Sequence, residues 1–382
     1  MTDKVTAGFI PLVDAAALLV AADFGFADAE GLEIELIREV SWANVREKLN
    51  AGLFDVAHLL APMAIASSLD LMPGGAALIA PYVLATNGNA ITVSPMLFSE
   101  IMAELAGEKP RPLATAKALA RIAARRAREG RSSLTFGSTF PFSCHSYQLR
   151  FWMAAGGLDT AADLRLVVLP PPYMIESLSA GEVDGFCVGA PWNFVAAEQG
   201  LGHTLHYGCE IVQQLTEKVL AARRDWARRH EGVLIRLMRS ISAAAAFASQ
   251  PENWKSCCER LSAPDRIGAG REQIEAALSG SFGGHADKNF LIVGTGPRGR
   301  PDKTQAAWLY SQMVRWNQAG AEPRLAEAAQ AVFSADLFDR VFGQALDAEM
   351  PSSPADGLGA FAGPPFKKDC VPEYLDALAY GA

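Results

Sequence analysis

The stretch Leu49-Asn-Ala-Gly-Leu-Phe-Asp55 is followed by the apolar run Val-Ala-His-Leu, and the same order of residue types returns about 129 positions later. There, Leu178-Ser-Ala-Gly-Glu-Val-Asp184 is followed by Gly-Phe-Cys-Val. In both copies the end of a helix meets a glycine stop, and an aspartate then opens an apolar strand. Two such units predict two similar α/β lobes rather than one large sheet, although so short a pattern also recurs by chance.

The sequence around the first copy alternates strands with helices. Three strand-like runs within residues 5–60 are separated by two amphipathic helical runs. Asp14 and Ser41 stand where the N-caps of these helices are expected. A β-α-β-α-β order predicts a parallel sheet with helices on its faces, so the fold class is α/β.

The length of 382 residues predicts more than one domain. We assign residues 1–92 and 205–350 to lobe I, and residues 93–204 to lobe II. Residues 351–382 contain five prolines. This proline-rich segment is predicted to wrap the surface as an irregular strap that ends in a short helix.

Composition and charge exclude several classes of protein. The chain is 50% hydrophobic and 20% charged, which is typical of a globular protein. A formal net charge of −8 argues against direct binding to nucleic acid, because phosphate contacts need clustered cations. The chain has no apolar run long enough for a membrane-spanning helix, so we expect no membrane insertion.

The six cysteines show no CxxC pair, and Cys257 and Cys258 are adjacent. Adjacent residues rarely close a disulfide comfortably, so we expect free thiols in a reducing cytoplasm. The run from Met1 to Phe9 is too short and too mixed for a signal peptide. The expected localisation is cytoplasmic, with a periplasmic location as the alternative if a leader was trimmed.

A candidate anion-binding histidine lies in Leu134-Thr-Phe-Gly-Ser-Thr-Phe-Pro-Phe-Ser-Cys-His145, which is predicted to be a strand, a turn and the start of a helix. With Ser143 as the N-cap, His145 falls in the first turn, where free backbone N–H groups and the helix dipole favour an anion. A lone histidine is also often structural, so both interpretations stay open.

Signatures of catalysis are missing from the sequence. Cys144 and His145 do not form a nucleophile and its base, because neighbours on a helix point about 100° apart. We find no nucleophile elbow, no phosphate loop and no cluster with metal-ligand spacing. We therefore expect no catalytic residue, no cofactor and no metal.

Further polar positions are candidates for binding. Lys218 lies between a polar turn and an apolar strand, and it is equally interpreted as a surface lysine paired with Glu217. Asn87 and Asn89 flank a glycine, which usually marks only a turn. Two carboxamides at a crossover between lobes could also donate hydrogen bonds to an oxyanion.

These segments together resemble the nitrate/bicarbonate-type solute-binding proteins of ABC transport systems, over residues 5 to 330. The Pro-Pro-Pro block and the Gly-Phe-Cys-Val-Gly-x-Pro-Trp block are the most specific. The motifs that carry the resemblance are Gly8-Phe-Ile-Pro-Leu-Val-Asp14, Ser41-Trp42, Thr86-Asn-Gly-Asn-Ala-Ile-Thr92, Phe151-Trp-Met-Ala-Ala-Gly-Gly157, Leu169-Pro-Pro-Pro172, Asp184-Gly-Phe-Cys-Val-Gly-Ala-Pro-Trp-Asn193, Glu217-Lys218 and Asp225-Trp226. The resemblance implies a two-lobed, type II periplasmic-binding-protein fold with a ligand cleft between the lobes, which closes by a hinge motion.

The resemblance also implies a site for a small anion. Matched by position, this ligand-binding site comprises Trp42, Asn87, Asn89, His145, Pro171, Val188 and Lys218, with asparagine where the family uses glutamine. The bicarbonate branch has an acidic residue at the position of Lys218 and recruits calcium, so lysine here implies a lone monovalent anion such as nitrate or nitrite. Because nitrate cannot donate a hydrogen bond, we expect a cavity lined by donors only, which stays open without ligand.

The family has a cytoplasmic branch of nitrate/nitrite sensors that hold an RNA-binding antiterminator protein and release it when ligand binds. The resemblance therefore implies a non-enzymatic cytoplasmic sensor. The alternative is the substrate-binding component of an ABC transporter for nitrate, sulfonate or bicarbonate. An enzyme resembling the pyrimidine-precursor synthases of thiamine metabolism is a further alternative, but their iron-linked cysteine cluster is not evident.

Overall fold

The computed structural model describes residues 2–282, 285–343 and 359–379. The strands in these ranges are β1 (Asp3–Phe9), β2 (Leu32–Arg38), β3 (Val56–Leu60), β4 (Leu78–Asn87), β5 (Asn89–Val93), β6 (Thr135–Ser138), β7 (Arg165–Val168), β8 (Gly185–Gly189), β9 (His203–Tyr207), β10 (Thr216–Arg223), β11 (Ser281–Phe282), β12 (His285–Ala286) and β13 (Leu291–Val293).

The α-helices are α1 (Ala16–Asp23), α2 (Phe26–Ala29), α3 (Trp42–Asn50), α4 (Ala61–Ser68), α5 (Pro95–Leu105), α6 (Pro112–Arg128), α7 (Cys144–Ala155), α8 (Met174–Ser179), α9 (Trp192–Glu198), α10 (Gly208–Ile211), α11 (Arg224–Arg229), α12 (Glu231–Ala248), α13 (Trp254–Leu261), α14 (Arg271–Ser279), α15 (Lys303–Arg315), α16 (Pro323–Val332), α17 (Ala335–Phe342) and α18 (Val371–Ala379). Single 3-10 turns cover Val13–Ala15, Pro171–Tyr173, Pro251–Asn253 and Gly296–Gly299.

Two mixed sheets form the centres of the two lobes. The first has the order β13-β4-β10-β3-β1-β2, in which β1 is parallel to β2 and β3 while β10 is antiparallel to both of its neighbours. The second has the order β7-β6-β8-β5-β9, in which β6 is parallel to β7 and β8 while β5 is antiparallel to β8 and β9. The parallel arrangement predicted from the sequence therefore holds for β1–β3 but not for the whole sheet.

The chain passes from the first sheet to the second at Gly88. Asn87 and Gly88 have φ values of 61° and 97°, a left-handed backbone that asparagine and glycine tolerate best. Residues 89–92 and 205–207, which the sequence analysis assigned to lobe I, form parts of β5 and β9 in the second sheet. Of the strap, residues 351–358 lie outside the described residues, whereas 359–370 are irregular and α18 follows them.

Local capping agrees in part with the sequence. Ser41 Oγ accepts a hydrogen bond from the backbone N–H of Asn44 at 3.2 Å, and Ser143 Oγ accepts one from Ser146 at 3.0 Å. Both predicted caps are thus confirmed. The predicted Asp14 cap is wrong, because this residue lies inside the 3-10 turn Val13–Ala15 and its carboxylate faces other side chains.

The repeated sequence motif forms the same contact in each lobe. Asp55 Oδ2 accepts the backbone N–H of Thr6 at 2.9 Å, which ties the start of β3 to β1. Asp184 Oδ2 accepts the N–H of Thr135 at 2.8 Å, which ties the start of β8 to β6. Each lobe therefore uses the same contact to join two neighbouring parallel strands, β1 with β3 and β6 with β8.

No single helix among the described residues has the length and apolar character to cross a bilayer. The consecutive segments Glu231–Ala248 and Pro251–Leu261 reach this length and apolar character only when taken together, and they meet at a bend of 91°.

The shared aspartate contact predicts matched losses of stability. Asp55→Ala and Asp184→Ala each remove a charged acceptor from a strand N–H, so each is expected to lower the free energy of unfolding by about 1–3 kcal/mol. Urea denaturation measures both values. Asp28→Ala, at an exposed site on α2, is the control and should change stability by less than about 0.5 kcal/mol. A neutral effect at both Asp55 and Asp184 would contradict this role.

Candidate functional site

A β-bulge at the start of β10 places two adjacent charged residues together. Thr216 pairs with Thr86 and Lys218 pairs with Ala85, so Glu217 is the extra residue opposite β4. In a regular strand neighbouring side chains point to opposite faces, whereas a bulge re-aims one of them. Glu217 Oε2 consequently lies 2.9 Å from Lys218 Nζ.

Lys218 supplies the ammonium group of this cluster, and its side chain is fully buried. Its Nζ lies 2.8 Å from Asp14 Oδ2 as well as 2.9 Å from Glu217 Oε2. The same Nζ lies 5.3 Å from the centre of the Trp42 ring, within the range of a cation–π contact. The sequence alternative of a surface lysine is wrong, although the predicted pairing with Glu217 is confirmed.

Asp14 and His58 complete the part of the cluster that lobe I contributes. His58 Nε2 lies 2.8 Å from Asp14 Oδ1, and the His58 and Trp42 ring centres are 5.3 Å apart. Gly189, at the end of β8, makes room for Asp14, because a Cβ there would lie 3.2 Å from Asp14 Oδ2. The carboxylate therefore lies where the two sheets meet.

Lobe II reaches the cluster through α7 and β5. His145 Nδ1 lies 3.1 Å from Glu217 Oε1 and 3.0 Å from Thr139 Oγ1. Asn89 Nδ2 donates to Glu217 Oε1 at 3.1 Å and to Gln148 Oε1 at 3.0 Å. Glu217 is thus a residue of lobe I that contacts two side chains of lobe II, and all these groups are buried.

The cluster holds one ion pair with fixed charge. Burial by itself would raise the pKa of Asp14, but Lys218 and the hydrogen-bonded His58 outweigh it and lower the pKa to about 2. Burial would lower the pKa of Lys218, but Asp14 and Glu217 outweigh it and raise the pKa above its ordinary value. Asp14 and Lys218 therefore stay ionised at neutral pH.

The remaining groups of the cluster are neutral or titrate near neutrality. Burial, reinforced by Asp14, raises the pKa of Glu217 to about 7 against the opposing effect of Lys218. Burial and the charge of Lys218 hold the pKa of His145 well below its ordinary value. Burial likewise lowers the pKa of His58, although Asp14 opposes the shift.

The structure brings together four of the residues selected from the sequence. Trp42 contacts Lys218 within lobe I, and Glu217 links Lys218 to His145 and Asn89 of lobe II. Val188 lies on β8 and pairs with Ala90, the residue that follows Asn89 on β5. Pro171 is buried at the start of the 3-10 turn that follows β7.

Asn87 does not join the cluster. Its Nδ2 donates to the backbone oxygens of Gln213 and Asn289, and its Oδ1 accepts the N–H of Leu215. These bonds occupy the whole carboxamide, so Asn87 fastens the crossover between the sheets. Asn87 and Asn89 are close in sequence, which suggested a shared role. The left-handed backbone at Asn87 directs the two side chains to different partners.

The expectation of donors only is wrong. Asp14 and Glu217 are buried carboxylates in direct contact with Lys218. Sequence reasoning also missed His58, Thr139 and Gln148. A usable signal existed for His58, and also for Asp14, because both interrupt long apolar runs and ionisable residues are seldom fully buried without a partner.

Three ring nitrogens in the cluster are buried without a hydrogen-bond partner. They are the indole Nε1 of Trp42, the imidazole Nε2 of His145 and the imidazole Nδ1 of His58. Such atoms cost free energy unless a ligand or water satisfies them. Among the described residues, no group of three or more His, Cys, Asp or Glu side chains has a metal-binding arrangement.

Known proteins are similar to this chain in sequence and in architecture. The nitrate/nitrite binding protein NrtA of Nostoc sp. is 29% identical over 396 residues, covering 99% of this chain and 86% of that protein. The nitrate import ATP-binding protein NrtC of Synechocystis sp. is 30% identical over 341 residues, covering 87% of this chain. The chain spans about half the length of NrtC, with 48% of that protein covered.

A solved structure shows the same fold. The crystal structure of the periplasmic nitrate-binding protein NrtA from Synechocystis superposes with a TM-score of 0.87 at 24% identity, covering 99% of this chain and 98% of that one. The two-lobed α/β architecture of the type II periplasmic-binding-protein fold is therefore confirmed. A sequence model described as the NMT1-like family matches residues 2–262, and the chain belongs to the NMT1-like family.

Proposed function

We propose that the chain is a non-enzymatic binding protein for a small oxyanion, nitrate or nitrite, held between the two lobes. The observation that carries this proposal is that two of the unpartnered buried nitrogens, Trp42 Nε1 and His145 Nε2, belong to opposite lobes in the cluster around the Lys218 ammonium. Ligand-binding sites of this kind are usually enclosed and carry a few convergent polar groups.

The proposed roles of the site residues follow from their contacts. Lys218 supplies the positive charge, while Trp42 and His145 supply directional donors from opposite lobes. Asn89 holds Glu217 in place. Pro171 and Val188 are proposed as apolar walls. Relatives named for nitrate import and nitrate/nitrite binding support the choice of anion.

The two carboxylates set the energetic demands of the site. A buried ammonium between two carboxylates is already compensated, so an incoming anion must compete with Asp14 and Glu217. Competition of this kind favours a small, weakly hydrated monovalent anion over a strongly hydrated divalent one. Closure of the lobes then excludes water and strengthens each remaining contact.

Two biological roles fit such a protein. Transport, as the binding component of an ABC importer in the periplasm, is supported by the names of the relatives. A cytoplasmic sensor that releases an RNA-binding antiterminator on binding nitrate is the second proposal. It is supported by the six free cysteines, five of them buried, since free thiols are common in proteins of reducing compartments.

The anion site is tested by removing one donor. Trp42→Phe deletes the indole N–H and keeps an aromatic ring, so nitrate affinity should fall by about 1 kcal/mol, or about fivefold. Calorimetric titration measures the change. Trp226→Phe, at a buried indole on α11, is the matched control and should bind nitrate as the wild type does. Equal affinities for all three proteins would refute the role of Trp42.

The sensor role is tested by a pull-down of purified antiterminator protein on the immobilised chain. Nitrate at a saturating concentration should release the partner, because the closed lobes present a different surface. Trp42→Phe should need about fivefold more nitrate for the same release. Retention of the partner at every nitrate concentration, or no capture at all, would leave transport as the supported role.

A further inference from the structure

We propose that the Glu217–His145 pair takes up one proton from solvent when the anion binds, and that this proton makes His145 Nε2 a hydrogen-bond donor to the ligand. This inference rests on the proposed function and assigns Glu217 a part in anion selection. It follows from the geometry of a carboxylate and an imidazole that face each other across the two lobes.

The ionised form of Glu217 fixes the proton of His145 on the wrong nitrogen. Glu217 Oε1 and Thr139 Oγ1 lie 3.1 Å and 3.0 Å from His145 Nδ1. The Thr139 hydroxyl can donate or accept, but a bare Nδ1 would still set its lone pair against the carboxylate charge, so ionised Glu217 favours a proton on Nδ1. A neutral imidazole carries one proton, so Nδ1–H leaves Nε2 with a lone pair. This Nε2 is buried and has no hydrogen-bond partner. In this state it repels an anion.

One added proton reverses the polarity of Nε2. If the proton resides on Glu217, the carboxyl donates to Nδ1 and the imidazole carries its own proton on Nε2. If the proton resides on the imidazole, both nitrogens are donors. In either arrangement Nε2–H faces the ligand. No bond other than those to hydrogen changes.

The charges around Glu217 favour this uptake. The titratable groups around the carboxylate are Lys218, Asp14, His145, Cys144 and Cys187, while His58 contacts Asp14 at its other oxygen. Burial raises the pKa of both thiols, so they stay neutral. Two carboxylates therefore face one ammonium while Glu217 is ionised, and an anion would add a further negative charge. Protonation of Glu217 removes that excess.

The proton supply is adequate near neutral pH. The pKa of Glu217 is raised to about 7 by burial, so both protonation states are populated there. Loss of the proton weakens binding only above this pKa. The expected dissociation constant for nitrate therefore stays nearly level at pH 6 and rises about tenfold for each pH unit above about 8.

The same pair discriminates between anions. Nitrate and nitrite have acceptors only, so they need the protonated pair. Bicarbonate carries an O–H group, which can donate to ionised Glu217. Affinity for nitrate should therefore fall relative to affinity for bicarbonate as pH rises. Each affinity is calculated from the concentration of the anion itself at that pH.

Calorimetry of the full chain with sodium nitrate from pH 6 to 9 tests the proposal. At about pH 8.5, two buffers with different ionisation enthalpies should report uptake of about one proton per bound anion. Glu217→Gln keeps a neutral side chain of similar shape, so its nitrate affinity should vary less than about twofold over this range. Glu272→Gln, an exposed carboxylate on α14, is the matched control and should keep the wild-type slope.

The possible results distinguish failure of the proton uptake from failure of the proposed anion binding. Nitrate binding that does not depend on pH, with no proton uptake in either buffer, would overturn this inference and leave the proposed function intact. A Glu217→Gln variant with the wild-type slope would also overturn it. Absence of nitrate binding at every pH would overturn the proposed function together with the inference. If Glu217→Gln fails to fold, the two-buffer measurement on the wild type decides alone.

Discussion

The site depends on one interaction, the contact of the buried Lys218 ammonium with the carboxylates of Asp14 and Glu217. The bulge in β10 makes this contact available, because it brings two sequential side chains to one place. Glu217 then carries the contact into lobe II through His145 and Asn89. The position of one lobe against the other is thus tied to the state of one charged cluster.

Such a cluster is poorly explained as a device for stability. Burying charged groups costs several kcal/mol per ion, and replacing a buried ion network by apolar residues is often neutral or stabilising. The unpartnered nitrogens of Trp42 and His145 add to that cost. Sites that keep such costs are usually sites of function, where a ligand supplies the missing partner. The cluster is consequently best understood in its relation to a bound anion.

Local sequence signals predicted much of the fold, whereas the site depended on contacts between distant residues. The caps at Ser41 and Ser143 arise within short segments, so their patterns were sufficient. The antiparallel entry of β10 between β3 and β4 joins residues far apart in the chain, and periodicity carries no information about it. Trp42 was selected through a family resemblance, whereas His145 and Lys218 were already candidates from their local sequence. Asp14 was missed as a partner of Lys218 because it matched a helix cap, and Glu217 was expected to pair with Lys218 only at the surface.

A crystal structure of the full chain grown in sodium nitrate tests the account most directly. We expect planar electron density between the lobes, in contact with Lys218 Nζ, His145 Nε2 and Trp42 Nε1. Density for the anion elsewhere, with both nitrogens still unpartnered and the ammonium held by the two carboxylates alone, would contradict it.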